Sequence, residues 1–498
     1  MNRRLKSMGL TVFATILLVS CTRLDSVSAP TVVIPKAGSG SIRIRLQFNA
    51  GSAFDPRGSE GMARYVAGAL TRGTKQFTRA QIDAKLDELA ADLNVEVDRD
   101  VVIVEGLCLT ESWPEFSNLY LSVVTEPAFD PAEMAKLVDD QLDEIEQLRR
   151  DDASLAKAAL QYFIYADYPY GHPVEGHDHS VKGITVDQAR AFYQGHYTGG
   201  NYVLGLAGDV SDSLAQSVHR VLQERLVAGA PVVPAMPEAT LSGLNVFLIQ
   251  KEARAQTQLR FGRPIGIGRD DADFMPLFLA NTHFGRHRES MGRLYQTIRE
   301  ERGLSYGAYA YCEHFDQDGG SNLARPGRPR RQQYSSAWVY PKSTNANFVV
   351  RAVLKEMSDL AATGLTAEQL QAAKTFEINH WPFEIETPRR VLGMRMDEVT
   401  LGTPEFVDSF TVRAERVTTA DVRRAVKQAI DVHNMAIVAV VSDGEAFSDE
   451  LLGSTVVVEY PSGVDPRELS AADAPYKNFV PVWDPQKFKI FKAEEMFR

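Results

Sequence analysis

The sequence predicts an α+β protein built from two similar halves, and two observations support this prediction. The first is an internal repeat. In ITVDQARAFYQGHYTGGNYVLGLAGD, Thr185 stands sixteen residues before Asn201, and an apolar strand follows. In VTTADVRRAVKQAIDVHNMAIVAVVSD, Thr418 stands sixteen residues before Asn434, and a second apolar strand follows. A unit of helix, loop and strand therefore recurs about one domain length later.

The second observation is a stretch rich in Ala, Pro and Gly, VAGAPVVPAMPEATLSG, which spans residues 227–243. Such a composition is typical of linkers. It predicts one domain over 38–228 and another over 244–457, joined by a linker at 229–243. The remaining residues, 458–498, are expected to form an irregular tail.

Within the first half, the spacing of apolar residues predicts the elements in order. Alternation in SIRIRLQF predicts a strand with four residues on one face, Ile42, Ile44, Leu46 and Phe48. A helix is expected to begin at Thr78 and to continue its apolar stripe to Leu93. The segment DLNVEVDRDVVIVEGLCL then predicts a turn and a strand. Residues 130–150 predict a long amphipathic helix.

Composition excludes some classes of protein. The chain has 498 residues, of which 44% are hydrophobic and 24% charged, so it is long enough for substantial cores. Its formal net charge of −11 argues against a nucleic-acid-binding surface, which needs a concentrated patch of Lys and Arg. We therefore expect no nucleic-acid partner.

The first 21 residues indicate a targeting segment. Arg3, Arg4 and Lys6 precede the apolar run MGLTVFATILLV, which is too short to span a membrane comfortably. The run ends at LVSC, which resembles the lipobox of bacterial lipoproteins. That resemblance implies removal of residues 1–20, a lipid anchor on Cys21 and, because Thr22 is not aspartate, an outer-membrane location facing the periplasm. The alternative is an ordinary secretory signal with a chance cysteine.

The other two cysteines do not indicate a reactive site. Cys108 lies in VVIVEGLC, which is typical of a buried strand, so we interpret it as a small core residue. A disulfide between Cys108 and Cys312 is not expected, and neither residue resembles a nucleophile paired with a base.

The order and spacing of several motifs resemble the pitrilysin/insulinase family of zinc metallopeptidases. The motifs are a strand followed by NAGS, a loop with Glu60-Gly61, the helix GMARYVAGALTRGT, an acidic helix, YPYGHPVEG and LYQTIREERGLSYGAYA. The resemblance covers most of the mature chain. It implies two similar halves, each a mostly antiparallel mixed sheet packed with helices, in a metallohydrolase-like clamshell.

The family's zinc motif, H-x-x-E-H on the first helix, is lost in this chain. The resemblance places the first histidine at Arg64, the catalytic glutamate at Ala67 and the second histidine at Gly68. None of these residues can ligate zinc or act as a base. The family's distant glutamate ligand falls on or near Glu144. The alternative, with about equal support, is that Glu144 is an ordinary solvated glutamate of its helix. We therefore expect that the chain has no zinc at this site, no other cofactor and no catalytic residue of its own. In place of the metal we predict an ion pair between Arg64 and Glu144.

Two groups of histidines could in principle replace the lost metal site. His283 and His287 stand four residues apart in HFGRH, and they would share a helix face only if the segment were helical. His172, His177 and His179 gather in HPVEGHDH, a Gly/Pro loop that the family uses structurally. We interpret all five as ordinary histidines, with the loop group at the surface.

The second half retains a motif that the first half lacks. In IREERGLSY, Arg299 and Tyr306 match an arginine and a tyrosine that, by resemblance, hold the substrate backbone near the scissile bond. A guanidinium can donate to peptide carbonyls, and a phenol can donate to a developing oxyanion. The alternative is an ordinary junction between a helix and a strand.

An insertion, DQDGGSNLARPGRPRRQQ, departs from the family pattern. It concentrates four arginines, Arg325, Arg328, Arg330 and Arg331. We expect a disordered, solvated loop. The alternative is a docking site for an acidic partner or for lipid headgroups.

These observations predict a zinc-less subunit that is inactive alone and that binds peptide or unfolded protein together with a zinc-bearing homologue, as a heterodimer. A stand-alone peptide-binding or structural envelope lipoprotein is the alternative. A third interpretation is an active peptidase with an unrecognised metal site.

Overall fold

We describe the fold from a computed structural model of the chain. The described residues are 29–166, 169–234, 236, 239–315 and 323–498. The predicted signal segment, with Cys21, and the beginning of the arginine-rich insertion lie outside them. Of the helices in these ranges, none is both long and apolar enough to span a membrane.

The first half contains five strands and eight helices in its described part. In chain order they are β1 (Thr31–Pro35), β2 (Ser41–Phe48), α1 (Met62–Leu70), α2 (Arg79–Glu88), β3 (Asp92–Val97), β4 (Val102–Leu109), α3 (Trp113–Thr125), α4 (Pro131–Arg150), α5 (Asp152–Ile164), α6 (Asp178–Gly183), α7 (Val186–His196), β5 (Tyr202–Gly208) and α8 (Asp212–Arg225). The predicted strand over SIRIRLQF and the helix predicted at 130–150 are confirmed as β2 and α4.

The second half has the following order. It runs β6 (Asn245–Gln250), β7 (Gln258–Ile265), α9 (Phe274–Gly285), α10 (Arg293–Tyr295), β8 (Ala308–Tyr311), β9 (Gln333–Val339), α11 (Ala346–Thr363), α12 (Ala367–Glu384), α13 (Pro388–Leu401), α14 (Phe406–Arg416), α15 (Thr419–Ala429), β10 (Ala436–Val441), α16 (Gly444–Leu452), α17 (Pro466–Lys477) and β11 (Phe488–Lys492). A π-helical turn, Gln296–Glu300, directly continues α10.

Each half is built on one mixed, mostly antiparallel sheet. The strand order in the first sheet is β1-β5-β2-β4-β3, and in the second it is β11-β6-β10-β7-β9-β8. In both sheets the first strand of the half pairs in parallel with the last strand of the repeat. In the second sheet β11 also pairs in parallel with β6, and the remaining pairs of both sheets are antiparallel. The predicted α+β class with two similar halves is therefore confirmed.

The internal repeat corresponds to α7 with β5 and to α15 with β10. Thr185 and Thr418 form capping boxes at the start of these two helices, which explains their equivalent positions. The side-chain oxygen of Asn201 accepts a hydrogen bond from the backbone N–H of Val232, at 2.8 Å, and that of Asn434 accepts one from Gly243, also at 2.8 Å. Both asparagines thus bind the connection between the halves.

The prediction of an irregular tail after residue 457 is wrong. The tail contains α17 and β11, and β11 pairs in parallel with β6 at the edge of the second sheet. This strand is short and only partly buried, and its apolar pattern is too weak to be read from the sequence. The first domain also begins before residue 38, because β1 is part of its sheet.

Two local predictions in the first half also need correction. The predicted helix begins after Thr78, with a capping box to Gln81, but it ends at Glu88. Leu93 belongs to β3 rather than to the helix stripe. The segment DLNVEV is therefore a strand and not a turn, because it pairs with β4 in an antiparallel hairpin.

The two halves exchange one helix each. Helix α5 of the first half packs against β7 and β10 of the second sheet, and helix α13 of the second half packs against β1 and β5 of the first sheet. The approach is close: a Cβ added to Gly205 would lie 2.4 Å from the sulfur of Met396, and one added to Gly262 would lie 2.9 Å from Cδ2 of Leu160. Each half thereby covers part of the other half's sheet.

The described part of the arginine-rich insertion is ordered against the first half, which corrects the expectation of a disordered loop. Arg328 pairs with Glu96 of β3 at 2.7 Å, and Arg330 pairs with Asp98 at 2.6 Å. The Arg330–Asp98 pair is almost fully buried. Burial alone would raise the pKa of Glu96, but the guanidinium groups of Arg328 and Arg325 lower it. The insertion therefore joins the two halves.

Cys108 and Cys312 are both buried and free, as expected. Burial raises the pKa of the Cys108 thiol to about 12, so the thiolate is disfavoured at neutral pH. Both cysteines are core residues of their halves.

We predict that Asp98→Ala destabilises the protein by about 3 kcal/mol, because it removes a buried carboxylate that pairs with the guanidinium of Arg330. The exposed i,i+4 pair Lys355–Asp359 offers a control, and Asp359→Ala is expected to cost less than about 0.5 kcal/mol. Urea unfolding followed by circular dichroism measures both changes. Equal losses would show that the insertion does not hold the halves together.

Candidate functional site

Helix α1 is held in place by its first residues. Asp55 is buried and accepts backbone hydrogen bonds from Gly61 and Ala63, each at 2.7 Å. Burial raises the pKa of Asp55 to about 8, although these two bonds oppose the shift. Gly61 adopts φ 96°, and Nε2 of Gln141 in α4 donates to its carbonyl at 3.0 Å. The start of α1 is therefore tied to α4, which carries Glu144.

Arg64 and Glu144 form the predicted ion pair between α1 and α4. Nε of Arg64 donates to Oε2 of Glu144 at 3.0 Å, and Nη2 pairs with the other carboxylate oxygen. The geometry is bidentate, which is the strong arrangement for a guanidinium and a carboxylate. About a third of each side chain is exposed (31% and 34%), so the pair lies at the wall of an open cavity.

The zinc ion that the resemblance implies does not fit these residues. Both oxygens of Glu144 are bound to a guanidinium, which donates hydrogen bonds and offers no lone pair. Ala67 is fully buried in the core of the first half. A Cβ added to Gly68 would lie 2.9 Å from Cδ2 of Leu137 and 3.6 Å from Nη1 of Arg64. The guanidinium thus occupies the space beside Gly68.

The cavity around this pair has a volume of about 420 Å³. Two ion pairs lie in its wall: Arg64 with Glu144, and Arg72 with Asp140. No described residue lining it is a histidine or a cysteine. The wall also includes Asn94 and Val95 of β3, the edge strand of the first sheet. Among the described residues, no group that could hold a metal ion lies in this cavity.

Arg299 and Tyr306 lie together at the surface of the second half. Nη1 of Arg299 donates to the backbone carbonyl of Tyr306 at 3.1 Å, and the guanidinium lies over the rings of Tyr306 and Tyr295, 4.1 and 4.8 Å from their centroids. The residue Tyr306 is 68% exposed. These contacts orient both side chains by stacking, and they leave the phenol at the surface.

The structure does not place this pair in the cavity at Arg64, since neither residue is among its lining. Tyr306 instead lies two residues before β8, which is the edge strand of the second sheet. The two site elements inferred from the sequence are therefore separate in this chain.

His283 and His287 do not form a metal pair. Helix α9 ends at Gly285, so His287 lies beyond it and the two do not share a helix face. Nδ1 of His287 bonds to the Tyr311 hydroxyl at 2.8 Å, and burial lowers the pKa of this imidazole to about 4. His287 is therefore a neutral core histidine.

The loop histidines differ from the expectation of a surface group. His172 is buried, and burial lowers its pKa to about 4. His177 is half-buried, whereas His179 is exposed. The structure brings His177 and His179 together with Glu60, a residue that the sequence analysis did not assign to them because it is distant along the chain.

Comparison with known proteins gives concordant results. Residues 31–178 match the family described as insulinase (peptidase family M16), and residues 183–376 match the peptidase M16 inactive domain. The chain is 21% identical to an uncharacterized zinc protease of Streptomyces coelicolor, over 77% of this chain and 81% of the relative. It is also 21% identical to the non-peptidase homolog YmxG of Helicobacter pylori, over 80% and 88%.

A solved structure of similar fold is the peptidase M16 inactive domain from Pseudomonas fluorescens. It aligns with a TM-score of 0.73 at 22% sequence identity, covering 83% of this chain and 96% of that one. The similarity extends over both sheets, in agreement with two similar halves.

We predict that Gly68→His alone does not produce peptide hydrolysis. One imidazole and Glu144 supply two ligands at most, Ala67 still provides no base, and the new side chain meets Leu137 and the Arg64 guanidinium. The variant should lose about 1–3 kcal/mol of stability through overpacking. A fluorogenic peptide assay with added Zn²⁺, together with thermal unfolding, checks both expectations, and Zn²⁺-dependent cleavage would contradict them.

Proposed function

The chain belongs to the pitrilysin/insulinase family M16, and we propose that it serves there as the zinc-less subunit of a two-chain peptidase. Its partner is a zinc-bearing homologue, and the two chains together bind peptide or unfolded protein. The domain matches and the non-peptidase relative support a non-catalytic member of the family. The pairing with a catalytic chain is our inference.

One observation carries this proposal. The Arg64–Glu144 pair lies where the family has its zinc site, whereas the Arg299–Tyr306 pair is formed and accessible. The Arg64–Glu144 pair leaves no group at α1 that could activate water. The phenol of Tyr306 nevertheless lies at the surface. The hydrogen bond from Arg299 to the backbone carbonyl of Tyr306 uses one of the five N–H donors of the guanidinium. These donors can act in catalysis if another chain supplies the reacting centre.

In this mechanism each residue of the pair has a separate task. Arg299 donates to a carbonyl of the substrate backbone and so orients the peptide at the partner's metal centre. The Tyr306 hydroxyl donates to the oxygen on which negative charge develops when water attacks. Stacking of the guanidinium on two tyrosine rings limits its motion before substrate arrives. The zinc-bearing chain supplies the attacking water.

A specific feature also supports the alternative, a stand-alone peptide-binding protein. The cavity at α1 is lined by the edge strand β3, whose outer backbone groups are available for an added strand in that part of the cavity. An extended peptide could bind there by strand addition without being cleaved. The assay below distinguishes the two functions.

We further propose that a lipid on Cys21 anchors the chain to the outer membrane. Replacing Cys21 by Ala is then expected to abolish incorporation of labelled fatty acid and to shift the protein from the membrane to the soluble fraction. Cys312→Ala provides a control, because this buried residue is not available for acylation. Unchanged labelling in the Cys21 variant would exclude the anchor.

For the Arg299–Tyr306 pair we expect two different kinetic effects. Tyr306→Phe removes a transition-state hydrogen bond and should lower kcat of the mixed complex by about 10²–10³, without changing its assembly. Arg299→Ala should also raise KM, because it removes a charged donor to the peptide backbone. The measurement is peptide hydrolysis by the zinc-bearing chain in the presence of each variant.

Arg467→Ala offers a matched control for this assay. Arg467 is a highly exposed arginine in the C-terminal segment, paired with Asp465, and its loss should leave the stimulation unchanged. If the Arg299/Tyr306 double variant stimulates hydrolysis fully, the pair is structural. Peptide binding by the isolated chain would then become the better interpretation.

A further inference from the structure

We propose that Glu60, His177 and His179 form a binding site for a divalent transition-metal ion, with Zn²⁺ as the best match. Each of these residues offers one ligand atom, and the three atoms lie within 4.8 Å of one another. Two imidazoles and one carboxylate are a ligand set typical of Zn²⁺, whereas Mg²⁺ and Ca²⁺ favour oxygen ligands. The site is distinct from the cavity at Arg64, which these residues do not line, so this ion is not the catalytic zinc that the chain lacks.

Only small movements are needed to close the three ligands around one ion. Zinc bonds of about 2.0–2.2 Å to nitrogen and oxygen place tetrahedral ligands roughly 3.4 Å apart. His179 is exposed, and the other two side chains are partly buried, so side-chain rotation can supply the difference.

The backbone already brings the two segments together. Oγ of Ser180 donates to the carbonyl of Glu60 at 2.8 Å, and the same oxygen accepts from the backbone N–H of His177 at 3.2 Å. Gly176 adopts φ 85°, and a Cβ there would lie 2.1 Å from the Glu60 carbonyl oxygen. The loop before α1 and the start of α6 are thus packed closely at this point.

The surroundings orient both imidazoles. Nδ1 of His179 lies 2.6 Å from the backbone oxygen of Arg498, and because that oxygen can only accept, Nδ1 carries the proton. Nε2 of His179 is therefore left with the lone pair that a metal needs. Such a bond from the second ring nitrogen to a carbonyl is typical of metal-ligating histidines.

The ring of His177 is held by stacking. It lies parallel to the ring of Phe497, with 6.4 Å between the ring centroids and an interplanar angle of 3°. It also stacks on the ring of His179, with 5.7 Å between the centroids. Arg149 of α4 fixes this end of the chain, since it donates to the carbonyls of Met496 at 2.6 Å and Phe497 at 2.9 Å. The outer contacts of the site thus come from α4 and from residues 496–498.

The site also borders a second cavity, of about 460 Å³, lined by Glu60 and His177 together with Asp55, His172 and Tyr162. Three protein ligands leave one of four zinc positions open. In this geometry the open position can take water or a small ligand from the cavity. The sequence did not indicate the site because Glu60 is far from the histidines along the chain.

The test is a Zn²⁺ titration of the purified full chain against a chromophoric chelator. One Zn²⁺ per chain is expected. Glu60→Gln, His177→Ala and His179→Ala should each weaken binding more than about tenfold, since loss of even an outer partner typically costs 10–100-fold. Visible absorption of the Co²⁺-substituted chain gives a second readout of nitrogen and oxygen ligation. Circular dichroism establishes that each variant is folded.

Two controls assign the ion to its site. His433→Ala removes an exposed histidine of the second half, and Glu144→Gln removes the carboxylate at α1; both should bind Zn²⁺ as the unmodified chain does. Unaltered binding by the His177/His179 double variant would overturn the proposal, as would the absence of stoichiometric Zn²⁺ in the unmodified chain. The outcome is independent of the assay with the zinc-bearing partner.

Discussion

The structure depends on one constraint: each sheet has apolar surface on the face away from its own core, and the other half covers it. All six residues of β10 are buried, and β7 is almost completely buried. Helix α5 of the first half covers this sheet, and helix α13 of the second half covers β1 and β5. Burial of this apolar surface between the halves therefore holds them together.

Close packing of the halves determines where the charged segments meet. The insertion after β8 reaches the hairpin of β3 and β4, where Glu96 and Asp98 form ion pairs with its arginines. A buried guanidinium is costly without a carboxylate, so these pairs favour a single relative arrangement of the two segments. The composition of the insertion is typical of a solvated loop, but the arginines of its described part are paired with acidic residues of the first half.

The same reasoning explains the inactive site at α1. A zinc ion requires several lone pairs directed at one point, whereas a guanidinium requires only a carboxylate in its plane. Once Arg64 binds Glu144, the remaining ligand positions have no electrostatic role, and small residues such as Ala67 and Gly68 fit there. Arg299 and Tyr306 are independent of this change, because their contacts come from their own segment of the second half.

The proposed metal site has a different origin. It combines a residue from the loop before α1 with two from the start of α6, and the last residues of the chain supply its outer contacts. None of these segments is adjacent to another in sequence. Helix α4 contacts all three segments: Gln141 donates to the carbonyls of Gly61 and Glu175, and Arg149 donates to that of Phe497.

The sequence by itself determined the class of fold, the repeat and the lost zinc motif. Local signals were sufficient here, since alternation defines β2, capping boxes define α7 and α15, and residue types at fixed spacing exclude a metal at Arg64 and Gly68. The Arg64–Glu144 pair could also be predicted, because helices α1 and α4 both have clear patterns and the family spacing relates them.

Only the tertiary structure decided the exchange of α5 and α13, the ordering of the arginine-rich insertion, the strand in the tail and the grouping of Glu60 with His177 and His179. Each of these features pairs residues that are far apart along the chain, and each depends on which apolar faces pack together. Hydrophobic burial is non-directional, so periodicity shows that a face is buried but not against which partner. That choice follows from the packing of the whole chain.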